Sequence, residues 1–319
     1  MKYTKLMEKY NLGQRDEFEV VTEEQLLEAH IELMEANAEV MEDLHVIEMN
    51  KANATAGIIV ESAMNNVDEA TVEARIEAEI MEGFKDKLKV AGGKIKALIG
   101  KFVMFFRKWI ARAGDAKKSM EEAVKAAKEN KELNKENAAA VLAEGGMASL
   151  ILFRAIGGVK EKDALEGVAQ ELLKLKNGEM ATAVETLVKE LGTADATINI
   201  GKVKAAIKAF LAAKQEITAE KVESVLTNME TTLSGMKQMK EIFTTIDAFG
   251  KASIGAIEKD ADDKGTKLNM ISSEIAALQF IAIMGSTGVK KTAKKLNKVA
   301  KGKGGKKEDK KEDKKEEEK

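Results

Sequence analysis

Residues 84–112 read "FKDKLKVAGGKIKALIGKFVMFFRKWIAR", and the spacing of their apolar side chains decides what kind of fold this chain builds. Phe84, Leu88, Ala91, Ile95, Leu98, Phe102, Phe105 and Trp109 recur at steps of three or four, the period of one helix face rather than of a strand. Among them fall Lys85, Lys87, Lys94, Lys96, Lys101, Arg107, Lys108 and Arg112, which predicts a cationic amphipathic helix with Gly92-Gly93 as the point where it could break. Three readings of it stay open. Its stripe, with Phe102, Phe106 and Trp109, fits the core face of a bundle helix whose Lys stems cover apolar edges. The same rings opposite cations fit an interfacial helix on a membrane, and the cations alone fit phosphate neutralisation on nucleic acid without base readout.

Outward from this segment the composition carries the same signature. In 319 residues there is no Pro, charged residues reach 33% and aromatics only 4%, the profile of long helices packed through small side chains, so an all-α fold is expected. The length allows one large core or two smaller ones. With no Cys there is no disulfide, thiolate zinc site or thiol nucleophile. The start, "MKYTKLMEKYNLGQRDEFEV", lacks the apolar run of a secretory signal, and nowhere do about 18 apolar residues run without charge. Synthesis in a cytoplasm, without secretion by a signal peptide, is the expectation.

Charge divides the chain into four. Residues 1–82 hold 6 Lys/Arg against 20 Asp/Glu; residues 83–118 hold 11 against 2. Residues 119–289 are nearly balanced, and 290–319 hold 14 against 7. The acidic segment predicts two helices, roughly 22–51 and 66–82, the first opened by Thr22 and Gln25 at capping-box spacing and striped by Leu26, Leu27, Ile31, Met34, Ala38, Met41, Leu44 and Met49. Helical periodicity around 161–176, 180–191, 202–214, 219–249 and 267–284 predicts a bundle over 119–289. The last segment, 290–319, has no apolar residue after Ala300 and is expected to be a disordered basic tail.

Catalytic and ligand motifs fail on spacing. His30 and His45 lie fifteen apart outside any His-Glu-x-x-His arrangement. "DADDKG" at Asp260–Gly265 has the opening of a calcium loop, but Lys264 stands at a ligand position and Ile271 where a bidentate Glu belongs. "GSTGVKKT" at Gly285–Thr292 has phosphate-loop vocabulary without its spacing, and it follows a helix instead of a strand. No nucleophile elbow, dinucleotide fingerprint or paired-carboxylate site appears, so no enzyme, cofactor or metal is expected.

The sign change falls at Ile80-Met81-Glu82-Gly83. A cut after Glu82 would remove the acidic segment that neutralises and solubilises the basic remainder. These four residues resemble the recognition pattern of the prohead maturation proteases of large tailed bacteriophages, which cut after Glu when an aliphatic residue lies two positions before it and a small residue follows. Leu33-Met34-Glu35-Ala36, Ile59-Val60-Glu61-Ser62 and Leu142-Ala143-Glu144-Gly145 fit the same pattern. The organisation of the whole chain is similar to that of the internal head or prohead core proteins of such phages. That resemblance implies a virion-interior protein assembled with capsid or scaffold proteins, cleaved by a maturation protease at Glu82-Gly83, Glu61-Ser62 or Glu144-Gly145, and resident beside packaged DNA. Two other readings stand beside it. One is a membrane-associated protein whose cationic helix is masked by the acidic region; the other is an uncut interaction module, open to self-association, with the two segments docked together.

Overall fold

Thr22 opens the first helix as the sequence predicts: its Oγ1 accepts the Gln25 N–H at 3.1 Å while its own N–H donates to Gln25 Oε1 at 2.9 Å, a closed capping box. This computed structural model describes residues 21–65, 67–76, 78, 82–175, 180–192, 198–213, 215–259 and 264–302. All regular structure among them is helical: α1 (Glu23–Met64), α2 (Glu69–Arg75), α3 (Glu82–Glu129), α4 (Lys135–Ala143), α5 (Gly146–Ala155), α6 (Ala164–Lys174), α7 (Ala181–Leu191), α8 (Ile200–Ala212), α9 (Val222–Ser234), α10 (Met239–Lys259) and α11 (Lys264–Ala300).

The architecture is organised by α3 and α11. With 48 residues α3 is about 72 Å long at 1.5 Å per residue, and α11 runs parallel beside it. Trp109 Nε1 donates to the Ala282 carbonyl at 3.0 Å, and just past the end of α3 the Asn130 side chain donates to the Ala300 carbonyl at 2.8 Å. Ile95, Leu98, Phe102, Phe105, Phe106 and Trp109 are all buried on this seam. The rings form an edge-to-face series: Phe102–Phe106 at 4.9 Å, Phe105–Phe106 at 5.1 Å, Phe106–Trp109 at 5.4 Å, with Phe249 of α10 and Phe153 of α5 closing its sides at 5.7 and 5.8 Å. Each fully covered ring contributes about 1.5–3 kcal/mol of apolar transfer free energy.

Two glycines let α5 join this centre. A Cβ at Gly285 of α11 would sit 2.8 Å from the Phe153 backbone nitrogen, and one at Gly288 would overlap the Ser149 side chain. "GSTGVKKT" is therefore a helix-crossing surface inside α11, and the close approach leaves α5, "GMASLILFRA", buried on every side except Arg154.

α1 lies antiparallel on α3 and also touches α11. Its Ala29, Leu33, Val40, Leu44 and Ile47 are buried. Two polar contacts fix its register: Asn37 Nδ2 donates to the Ser272 carbonyl at 3.2 Å while Ser272 Oγ donates to Asn37 Oδ1, and Gln279 Nε2 donates to the His30 carbonyl at 2.8 Å.

The structure corrects several boundaries. The first acidic helix runs to Met64, not Lys51; of the second, Glu69–Arg75 is α-helical, and residues 66, 77 and 79–81 lie outside the described residues. α3 passes unbroken through Gly92-Gly93, where the surroundings would admit a Cβ and so require no glycine, and continues past Lys118 to Glu129. Residues 219–249 divide at Gly235 into α9 and α10. The tail does not start at Lys290: α11 continues to Ala300 because Ala293, Leu296 and Val299 still reach the core. One hydrophobic cluster runs from Ala29 to Ala300, so among the described residues the acidic segment, the α3 segment and the bundle share a core. The "DADD" of 260–263, residues 1–20 and residues 303–319 lie outside the described residues.

Candidate functional site

The acidic and basic segments meet face to face. α1 and α3 run antiparallel, so the early acids of α1 come opposite the late cations of the Phe84–Arg112 stretch. Lys94 pairs with Asp43; Lys108 Nζ donates to the Gln25 carbonyl at 3.4 Å; Arg112 reaches Glu23 at 3.5 Å. Glu23 also takes Lys290 of α11 at 2.7 Å, and that Lys290 hydrogen bond, with the Arg112 charge behind it, holds the Glu23 carboxyl below its usual range. The hydrogen bond to Asp43 likewise raises Lys94.

The remaining predicted contact residues separate into three groups. Lys85 and Lys87 are exposed at the start of α3, Lys87 over the Phe84 ring at 4.9 Å. Lys96, Lys101 and Arg107 are half-buried, Lys96 paired with Glu258 of α10 at 2.8 Å. Phe102, Phe106 and Trp109 are wholly covered, which corrects their assignment as contact residues for phosphate or membrane: in the folded chain their stripe faces α11 and α10, and the Trp109 N–H is taken by Ala282 and Ser286.

The candidate cleavage points differ in accessibility. Glu61 and Ile59 are exposed near the end of α1, Glu61 paired with Arg75 at 3.2 Å, while Ser62 is buried with its Oγ unpaired. Glu144 lies in the break between α4 and α5, paired with Lys295, which holds its carboxyl below the usual range. Leu142, two positions before it, is fully buried, and Gly145 has φ 89°, with the Leu211 carbonyl oxygen 2.7 Å from where a Cβ would stand. Leu33, two before Glu35, is also fully buried. Glu82 and Gly83 open α3, and Ile80 and Met81 lie outside the described residues. A protease needs an extended strand in its cleft, so each helical site must first unwind locally; the Glu61 and Glu144 carboxylates are equally exposed, and the sites differ in the exposed Ile59 of the one against the buried Leu142 of the other.

Sequence reasoning missed a cavity of about 520 Å³ among the loop before α6, the end of α7, α10 and the start of α11. Glu274 stands in its wall, its carboxyl pushed up to about 7 by burial, with Asp163 adding to the rise and the Leu165 N–H opposing it. Nothing in the local pattern Ser273-Glu274-Ile275 signals this, because the other walls come from elements a hundred residues away or from α10. No group of three or more His, Asp or Glu able to hold a metal occurs among the described residues. Burial, then the nearby Lys204, holds His30 below the usual imidazole range.

Compared with protein-family models, curated proteins and solved structures, the chain matches none of them.

Proposed function

We propose that this chain is a non-enzymatic protein of the phage capsid interior, a prohead core or internal head protein, in which α1 covers the basic α3 until proteolysis separates them. The observation that carries this reading is the seam itself: Asp43 and Glu23 face Lys94 and Arg112 across the point, Glu82-Gly83, where the chain changes sign. Cutting that connection leaves α1 held by its buried side chains and by Asn37 and Gln279, so the cut chain stays associated until a denaturing or assembly step strips α1 away. Its loss removes the α1 partners of Lys94, Lys108, Arg112 and Lys290 together, Arg112 keeping Asp115 of its own helix, and leaves a cationic strip suited to DNA phosphates.

The test is intact mass and N-terminal mapping of the protein from purified particles. A start at Gly83 or Ser62 supports the reading; a start at Met1 or Lys2 removes its processing step. In parallel, the Gly83 product freed of α1 should bind duplex DNA without sequence preference and with a steep salt dependence. A second reading, masked membrane association, draws on α11: Gly265–Ala300 is long and apolar enough to cross a membrane, although most of that stretch is buried in the bundle. Vesicle co-sedimentation decides it, since that reading requires lipid binding only after α1 is removed.

A further inference from the structure

α1 carries a second apolar stripe beside the one that packs. Leu27, Ile31, Met34, Ala38 and Met41 follow steps of four and three, about 21 Å of helix surface. Leu27 is 56% exposed and Ile31 and Met34 are each 45% exposed, although each lies one or two residues from a buried seam residue. Such a run on one helix face is more than the scatter of single apolar residues normal to a surface.

The stripe is also the wall of a trough. Met34, Ala38 and Met41 face Ile200 of α8 and Ala276 and Phe280 of α11 across a groove of about 200 Å³. Its floor is apolar and its methionines are unbranched and adaptable, the surface type that accepts a partner's helix face. Charge marks the two banks differently. Glu28, Glu35 and Glu42 recur every seven residues along the outer bank, with Glu32 behind them, and none has an ion-pair partner among the described residues. On the inner bank Lys204 lies over the Phe280 ring at 5.8 Å.

We propose that the outer face of α1 is a docking groove for a basic amphipathic helix of a partner protein. The partner lays an apolar stripe along Leu27, Ile31, Met34 and Met41 and sets Lys or Arg against Glu28, Glu35 and Glu42. The acidic bank turns away the competing occupants. A second copy of α1 would bring two columns of glutamates together, and DNA or an anionic membrane would meet a surface of its own sign. This inference goes beyond the capsid-interior reading and does not require cleavage, because the groove exists in the whole chain.

The test uses the full-length chain and a labelled synthetic peptide of about 18 residues, helical, with Leu at positions i, i+3, i+4 and i+7 and Lys elsewhere, followed by fluorescence anisotropy at ~0.1 M salt. Met34→Glu is the decisive variant, since it blocks the apolar floor while adding negative charge. Binding that weakens roughly tenfold or more in Met34→Glu, and that weakens and loses salt dependence in a Glu28→Gln, Glu35→Gln, Glu42→Gln triple variant, supports the groove. Binding that is unchanged or tighter in Met34→Glu means charge alone attracts the peptide and overturns it, as does no binding at all. Sedimentation of the chain alone tests the remaining occupant: a dimer abolished by Met34→Glu assigns the face to a second copy and overturns the proposal. Ile31→Glu, at an equally exposed site, repeats the test if Met34→Glu alters the circular dichroism spectrum.

Discussion

Between Ala29 and Ile47, α1 buries a residue about every turn, whereas between Glu48 and Met64 it buries only Ile58 and Ser62. The two halves differ as much in charge: the docked half carries Glu32, Glu35, Glu39, Glu42 and Asp43, and the exposed half only Glu48 and Glu61 with Lys51. Acidity and docking coincide, which invites the conclusion that charge holds the seam. Burial points the other way. The ion pairs Lys94–Asp43 and Arg112–Glu23 sit at its solvent-facing rim, while Leu33, Val40 and Leu44 lie beneath them with at most 3% exposure. Exposed pairs contribute about 0–1 kcal/mol each, a buried Leu about 1.5–3. Adhesion is apolar, register comes from Asn37 and His30, and charge chooses which helix fits.

The largest expected effect lies in the floor beneath the docked half. Trp109→Ala removes a wholly covered indole that touches Phe106 and Phe153 and donates to Ala282, and should destabilise the chain by about 3–5 kcal/mol in urea denaturation. Retained stability would mean that α3 and α11 do not form one core.

The contrast between halves is tested directly by a matched pair. Leu33→Ala should cost about 2–5 kcal/mol and Val60→Ala less than about 0.5, because Leu33 is fully buried and Val60 is 59% exposed. Equal, small effects would show that α1 does not pack as an integral helix.

How much of this was legible depended on how local the signal was. The α3 stripe is a sequence of steps of three and four, and every ring that the period put on one face is on one face in the fold. The Thr22 cap needs only residues three apart, and it formed. Lost were facts that need a second element: that Phe102 faces α10 and Trp109 faces α11 and not solvent, that α11 carries "GSTGVKKT" as a helix crossing, and that Lys290–Ala300 is anchored by Ala293, Leu296 and Val299. A stripe of aromatics beside lysines reads the same on a membrane surface and in a core, because periodicity names a face and not its neighbour. For the same reason α1 was legible as amphipathic, while its two adjacent stripes, one packed and one exposed, were not separable without knowing where α3 lies.

Glu274 gives a control outside the seam. Its carboxyl titrates at about 7, above the ordinary 4.5, so the folded chain holds this proton more tightly than the unfolded one. Its contribution is therefore fully present below the ordinary carboxylate value and declines as pH rises from about 4.5 to 7, to a loss on the order of 2–3 kcal/mol. Glu274→Gln should be more stable than the parent at pH 8 and equal to it at pH 4 in urea titrations. A gain of the same size at both values would place its cause in packing rather than ionisation. The exposed half of α1 has no part in this, so an added Val60→Ala change should leave the pH difference intact.

The smallest effect is the most informative about what charge does. Glu23 pairs with Lys290 and Arg112, but its side chain is 77% exposed, and it stands in the first turn of α1, where a carboxylate also meets the helix N-terminus. Glu23→Gln should therefore cost less than about 1 kcal/mol at low salt and less still near 1 M salt, where the Debye length is roughly 3 Å. Because its pKa is lowered in the fold, the contribution is present above the ordinary carboxylate range and is lost as pH falls through the depressed value. A cost approaching that of Leu33→Ala, erased by salt, would invert the comparison. α1 would then be an electrostatic clasp whose release needs only a change of ionic conditions, and cleavage at Glu82-Gly83 would be unnecessary for exposing α3. A small, salt-sensitive cost beside a large, salt-insensitive one at Leu33 leaves α1 as a packed helix that ionic strength alone does not lift, so that freeing the cations of α3 takes the work of pulling α1 from its apolar seam.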